Sequence, residues 1–232
     1  MSKKRRWALI RLQHPYPAVD WAEEGSFGGS QSRSASWQIR KCGCGAVAMT
    51  DLAIYLTRHH GCEGSMLVQE AASLDPIPAE LYDRCCCDLQ RKYLPMVPPF
   101  GINGLTLTAG MNAYCGIHRL PPRFRWNTGK KNLWKIIGQA LERDLPVVLA
   151  IGPNLPALWQ QHKVNLYRKS GETYTAVTSV KAHYVMVTAM DENWLEISSW
   201  GKKYYIHKQE YLHYGEKYST FLVHNALIPE PK

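Results

Sequence analysis

The segment Gln38-Ile39-Arg40-Lys41-Cys42-Gly43-Cys44-Gly45-Ala46-Val47-Ala48-Met49 leads into a stretch that is apolar and free of proline or internal glycine from Gly45 to about His59. Gly61 follows directly. That pattern predicts a helix over 45–59, stopped by Gly61. A cysteine at position 44 then occupies the first helical turn, where main-chain N–H groups lack acceptors and the helix dipole favours an anion. Cysteines so placed have pKa values lowered from about 8.5 into a range of roughly 3.5–7.5, which yields the thiolate that attacks carbonyl groups. Gly43 and Gly45 flank Cys44 and leave room for a substrate backbone. The competing reading of Cys44 is a small buried hydrophobe, the ordinary fate of a cysteine.

On the N-terminal side, residues 25–36 (GSFGGSQSRSAS) read as a flexible loop or linker, preceded by a piece with Pro15 and Pro17 that forms one strand or an extended arm. On the C-terminal side, 66–93 holds shorter helical stretches punctuated by Pro76 and Pro78, 94–104 is loop, and 105–116 is a further helix. Residues 131–144 place Leu133, Ile136, Ile137, Ala140 and Leu141 at helical spacing. After Pro146 the character changes. Residues 147–152 form a short apolar run, read as a buried strand; 182–190 and 194–200 form a hairpin around Asp191, Glu192 and Asn193; 202–208 and 219–228 add two more strands. Helices come first and antiparallel strands second, an α+β order with a cleft between two lobes. The expected division is an arm and linker over 1–36 and one domain over 37–232, its helical lobe at about 37–145 and its β lobe at about 146–228.

Composition excludes several classes. The chain has 232 residues, 45% of them apolar and 20% charged, which is globular and rules out disordered or collagenous chains. No apolar run approaches the roughly 20 residues of a membrane helix. The start MSKKRRWALIRLQ carries only Trp7 to Ile10 as an apolar stretch, too short for an export signal, so a cytoplasmic location is expected. The net charge of +9 includes four units at Lys3, Lys4, Arg5 and Arg6, and the remainder is scattered. No nucleic-acid motif accompanies it, so the basic surface reads as solvated and no specific nucleic-acid partner is expected. The seven cysteines, three of them consecutive at Cys85, Cys86 and Cys87, do not read as a disulfide framework. Cys42, Cys44, His59, His60 and Cys62 lack an established zinc spacing, and the helix between the two groups separates them by about 22 Å. No metal or cofactor is expected.

Nucleophilic cysteine catalysis needs a base. Of nine histidines, His183 stands out because it opens an otherwise apolar strand, Ala182-His183-Tyr184-Val185-Met186-Val187-Thr188. Such a histidine can face a cleft while the residues after it pack the core.

Gln38 with Cys44-Gly45-Ala46, then His183, then Ile197-Ser198-Ser199-Trp200-Gly201, in that order, resemble the papain-like cysteine peptidase superfamily, in particular the leader-peptidase domains of bacteriocin exporters and their relatives. In that family a glutamine precedes the nucleophile by six residues, as Gln38 precedes Cys44. Its histidine begins a strand of the form matched by His183 to Thr188, and its helix followed by a Pro-Val strand is matched by 131–144 and Pro146-Val147. The likeness covers roughly 37–210. It implies a papain-like two-lobe fold, Cys44 as nucleophile, His183 as general base and later acid, and Gln38 as side-chain donor to the oxyanion alongside the Cys44 main-chain N–H. Cys42 is the rival nucleophile. The third position departs from the family: Asn or Asp usually orients the imidazole, and here the aligned residue is Ser198, with Asp191 and Glu196 displaced from it. The resemblance therefore implies a thiol hydrolase, a peptidase or amidase acting on a peptide or protein; the alternative is a catalytically inactive papain-like binding or scaffold protein.

Overall fold

The computed structural model describes residues 9–21, 26–120 and 122–230. The basic cluster at Lys3 to Arg6 lies outside them. Seven α-helices and a nine-stranded antiparallel sheet are present among the described residues. The helices are α1 (Trp37–Cys42), α2 (Cys44–His59), α3 (Met66–Ala72), α4 (Ala79–Tyr93), α5 (Gly104–Ile117), α6 (Leu133–Glu142) and α7 (Lys208–Tyr218). The strands are β1 (Ile10–Arg11), β2 (Val19–Asp20), β3 (Ile77–Pro78), β4 (Arg123–Trp126), β5 (Val147–Ile151), β6 (Val164–Ser170), β7 (Thr173–Val180), β8 (His183–Met190), β9 (Trp194–Ser199), β10 (Lys202–His207) and β11 (Ala226–Glu230). The sheet runs β4-β11-β5-β8-β9-β10-β6-β7, and β1 takes β8 at Met190 and Ala189, beyond where β5 stops at Val187.

Helix α2 is the axis of the molecule. Every residue from 48 to 56 is buried, so it is apolar on all sides, as a helix wrapped by neighbours must be. It packs on α3, α4, α5 and β8. All five residues of β5 are buried, and in β8 only Tyr184 is partly exposed, so both faces of the sheet's centre are covered. That explains the apolar run at 147–151 and the nearly continuous one at 185–190, broken only by Thr188.

Four segments differ from the sequence reading. The described part of the stretch assigned to arm and linker is knitted into the domain: β1 joins the main sheet, β2 pairs with β3, and Ser30 and Ser34 are buried. Second, the strand expected over 219–228 begins only at Ala226. Its earlier half turns instead, because the buried His224 ring accepts from the Gly152 N–H at 3.2 Å and bonds the Tyr211 carbonyl at 2.8 Å. Third, the hairpin β6–β7 and helix α7 carry too many exposed polar residues to announce themselves by hydrophobic period. Fourth, β4 arises inside the expected helical half and pairs with β11. Among the described residues no helix is long and apolar enough to cross a membrane.

Asp144 fastens three of these pieces. It is 4% exposed, and its φ of 61° lies in the left-handed region that Asp and Asn tolerate best. Its carboxylate accepts from Tyr55 Oη (2.5 Å), the Gln13 N–H (2.7 Å) and the His14 N–H (3.2 Å), and lies 2.5 Å from His14 Nδ1. The His60 ring bonds its main-chain oxygen at 2.8 Å. Burial raises the Asp144 pKa, but the bonds from Tyr55, His14 and Gln13 outweigh it and the net shift is downward. A carboxyl lowered on folding stabilises above its unfolded value and loses that contribution as pH falls through the folded one. Asp144→Asn keeps the backbone tolerance and removes the charge. It should cost about 1.5–3 kcal/mol at neutral pH, with the gap from wild type closing below the model-peptide value of 3.8; urea denaturation at both ends of that range measures it.

Candidate active site

Helices α1 and α2 meet at Gly43, whose N–H still reaches the Ile39 carbonyl at 2.8 Å. A Cβ at position 43 would lie 2.5 Å from Ile39 Cα, so glycine is what lets the two helices join there. Gly45 has a different reason than substrate access: a Cβ there would meet Ile102 Cδ1 at 2.6 Å and Tyr184 Cδ2 at 3.4 Å. The two cysteines separate clearly. Cys42 is buried, and its Sγ donates to the Gln38 carbonyl at 3.4 Å. Cys44 is partly exposed and lines a pocket that Cys42 does not.

The same pocket is lined by His183, at the start of β8. Cys44, Val47, Ala48 and Asp51 supply the helical wall, at the i, i+3, i+4, i+7 spacing of one helix face. The imidazole is 9% exposed, stacks on Trp200 with ring centroids 4.7 Å apart, and has Nε2 at 2.8 Å from Ser199 Oγ. Trp200 and Gly201 form the two-residue turn between β9 and β10, both with positive φ, at 49° and 72°. Left-handed backbone costs a bulky residue about 1–2 kcal/mol, and here the turn delivers the indole to the imidazole face.

The orienting hydroxyl is Ser199 rather than the expected Ser198. Strand β9 pairs with Met190 and Ala189 in one register and with Val187 and Met186 in the next, so Thr188 is an extra residue in β8. Without that bulge Ser198 would lie opposite Val187, on the face His183 shares; with it, Ile197 takes that place and Ser199 joins the His183 face. Ser198 still lines the pocket, but its Oγ donates to the Phe27 carbonyl at 2.6 Å. Asp191 is spent on the N–H groups of Asn193 and Trp194, and Glu196 accepts from Thr188 and Tyr205.

Gln38 sits half-buried in α1 and does not line the pocket. Gln31, at the start of a single 3-10 turn (Gln31–Arg33), does. Its Nε2 donates to the Arg40 carbonyl at 3.3 Å, while its Oε1 is buried without a hydrogen-bond partner. Sequence reasoning missed Gln31, Asp51 and Ser199. Asp51 alone left a trace, as the one charged residue within the apolar part of α2, seven residues after Cys44.

Electrostatics differ from the expected thiolate. Burial pushes the Cys44 thiol above its ordinary value, against main-chain hydrogen bonds from Tyr184, Gly45 and Cys44 itself that pull it down. Burial also lowers His183 to about 4. Near neutral pH the pocket therefore holds a thiol and a neutral imidazole, not an ion pair. If Nε2–H donates to Ser199 Oγ, Nδ1 carries the lone pair and can accept a proton. Asp51 is raised to about 6, chiefly by burial and in spite of bonds from Tyr82, Tyr16 and Gly29. Among the described residues no group of three or more His, Cys, Asp or Glu side chains is arranged to hold a metal; His59 bonds the Pro15 carbonyl and Cys62 the His60 carbonyl.

No protein-family model, no curated protein and no solved structure matches the chain.

These protonation states are measurable. The His183 ring should stay neutral, with no titration in its NMR signals from about pH 5 to 8, where an unperturbed imidazole changes charge. Alkylation of Cys44 by iodoacetamide should keep climbing with pH past the ordinary thiol value. A plateau near neutrality would reveal a preformed thiolate and contradict the burial argument.

Proposed function

We propose that the protein is a papain-like thiol hydrolase that cleaves an amide of a peptide or protein substrate through an acyl-thioester on Cys44. The observation that carries this reading is the shared pocket: a cysteine on the first turn of the buried α2, and a histidine oriented by a hydroxyl and an indole, on an antiparallel sheet. In this reading the helical side of the pocket, which carries Cys44, and the sheet side, which carries His183, stand for the two lobes of a papain-like fold.

The protonation states define the mechanism. The thiol is neutral at rest, so Cys44 attacks the substrate carbonyl as its proton passes to His183, in the manner of general-base catalysis rather than from a standing thiolate. Negative charge develops on the carbonyl oxygen beside the first-turn N–H groups of α2, the ones whose main-chain hydrogen bonds already act on the Cys44 sulfur. The imidazolium is stabilised by Ser199 Oγ on one side and by the Trp200 face. It returns the proton to the leaving amine, whose departure leaves the thioester. Water, activated by the same imidazole, then releases the acid. Gln31 is the carboxamide on the pocket wall; one Nε2 proton goes to the Arg40 carbonyl, and in this reading the other takes the role that the family resemblance gives Gln38.

The second reading, a papain-like binding or scaffold protein without turnover, draws on the burial that keeps Cys44 protonated and on the uncharged partner of His183. An activated peptide ester separates the two. Intact-mass analysis should find one acyl group on Cys44, followed by its release. Cys44→Ala and His183→Ala should each lower the acylation rate by at least about 10³-fold. Ser199→Ala should lower it only about 3- to 10-fold, the value of one neutral hydrogen bond, while Ser198→Ala leaves the imidazole's hydrogen bond in place. A wild-type protein that never acylates supports the scaffold reading instead.

A further inference from the structure

Asp51 is a buried acid in the wall of the pocket. It is 1% exposed, and the interactions that favour its charge come from hydroxyls and main chain. Tyr82 Oη donates to Oδ1 at 2.6 Å, Tyr16 Oη donates to Oδ2 at 2.8 Å, and the Gly29 N–H reaches both oxygens, at 3.1 and 3.2 Å. A buried carboxylate is costly without such donors, and a leucine or alanine would suit the helix better. The arrangement therefore holds something in place.

What it holds is the segment 27–31. Gly28 has φ +79°, and a Cβ there would fall 2.4 Å from Ser198 Oγ and 2.6 Å from Asp51 Oδ2. A Cβ on Gly29 would fall 1.8 Å from Tyr82 Oη. The glycine pair, which reads as linker in the sequence, is the only way this backbone fits over the carboxylate. The segment is then tied to the sheet. The Phe27 N–H donates to the Gly201 carbonyl (2.9 Å), the Gly201 N–H to the Gly29 carbonyl (2.7 Å), and Ser198 Oγ to the Phe27 carbonyl (2.6 Å). Two residues beyond Gly29, Gln31 enters the pocket. On the other side of the tie, the turn carries Trp200, which stacks on His183.

We infer that Asp51 is the positioning residue of the pocket: its hydrogen bond to Gly29 fixes Gln31 and the Trp200 turn against the helix that presents Cys44. The kinetic part of this inference rests on the thiol-hydrolase reading; the structural part does not.

Asp51→Asn in the full chain tests both. The isosteric amide offers one acceptor oxygen where the carboxylate offers two, so either Tyr82 or Tyr16 loses its acceptor, and the Gly29 N–H, which reaches both oxygens, now meets an NH2 group at one of them. Amide exchange at Gly29 and Gly201 should accelerate by about tenfold or more, with the α2 amides still protected. Acylation by the activated peptide ester should fall about 10²-fold, the effect of a small misplacement of binding groups. Alkylation of Cys44 by iodoacetamide, which needs neither Gln31 nor the turn, should change less than about threefold; equal losses in both reactions would mark a merely structural role and overturn the inference. Gln31→Ala should cost less in the Asp51→Asn background than in wild type, because the amide is already displaced, and strict additivity would overturn the coupling. Tyr16→Phe removes a bond that favours the charged carboxylate, leaving the Gly29 N–H a weaker, more often protonated acceptor, so it carries the exchange measurement if the asparagine variant does not fold and should accelerate Gly29 exchange a few-fold. Unchanged Gly29 exchange overturns the inference whatever the activity. A wild type that does not acylate defeats the functional reading alone, because the exchange result stands apart from it.

Discussion

The packing of α2 against β8 governs everything in the pocket. Residues 44 and 183 are far apart along the chain, and they line one pocket because a helix buried on all sides has one place to go. Its burial also sets the spacing within the site. Cys44 and Asp51 are two turns apart on one face, so both line the pocket from one rigid element. The sheet supplies the counterpart in the same way, since β8 carries His183 at one end and is clamped by β5 and β9 along its length.

Burial has a chemical consequence. Taking a thiol and an imidazole out of water disfavours the charged form of each, so the Cys44 pKa moves up and the His183 pKa moves down. The helix dipole and the main-chain groups around the sulfur oppose this without overcoming it. Near neutral pH such a pocket holds two neutral groups rather than an ion pair. The hydroxyl of Ser199 orients the neutral imidazole without placing a second charge in the pocket.

One extra residue in one strand reassigns the hydrogen-bond partner of His183. Strand side chains alternate, so the bulge at Thr188 exchanges the faces of Ser198 and Ser199 relative to His183. Ser198, freed from the imidazole, instead anchors the Phe27 carbonyl, and so joins the network around Asp51. The same shift therefore supplies both the orienting group for His183 and a fastening for the segment that brings Gln31 into place.

Much of this architecture can be read from local pattern. The helix beginning at Cys44, the buried strand at 147–151, the strand opened by His183 and the hairpin after it all follow from apolar periodicity and turn residues, which act over a few neighbours. The pairing of a cysteine with a histidine follows from residue type and position in those elements. Local pattern is silent on register and on solvent. It cannot distinguish Ser198 from Ser199, because a bulge is a matter of cross-strand pairing. The family resemblance put Gln38 in the site, and local pattern passed over Gln31, because Gln31 arrives through a glycine pair pinned to a carboxylate on another element. It expected a thiolate from the helix start, because desolvation depends on what covers the sulfur, and the Tyr184 backbone and the wall opposite come from more than a hundred residues away. Periodicity is a property of neighbours in the chain, whereas register, enclosure and protonation belong to neighbours in space.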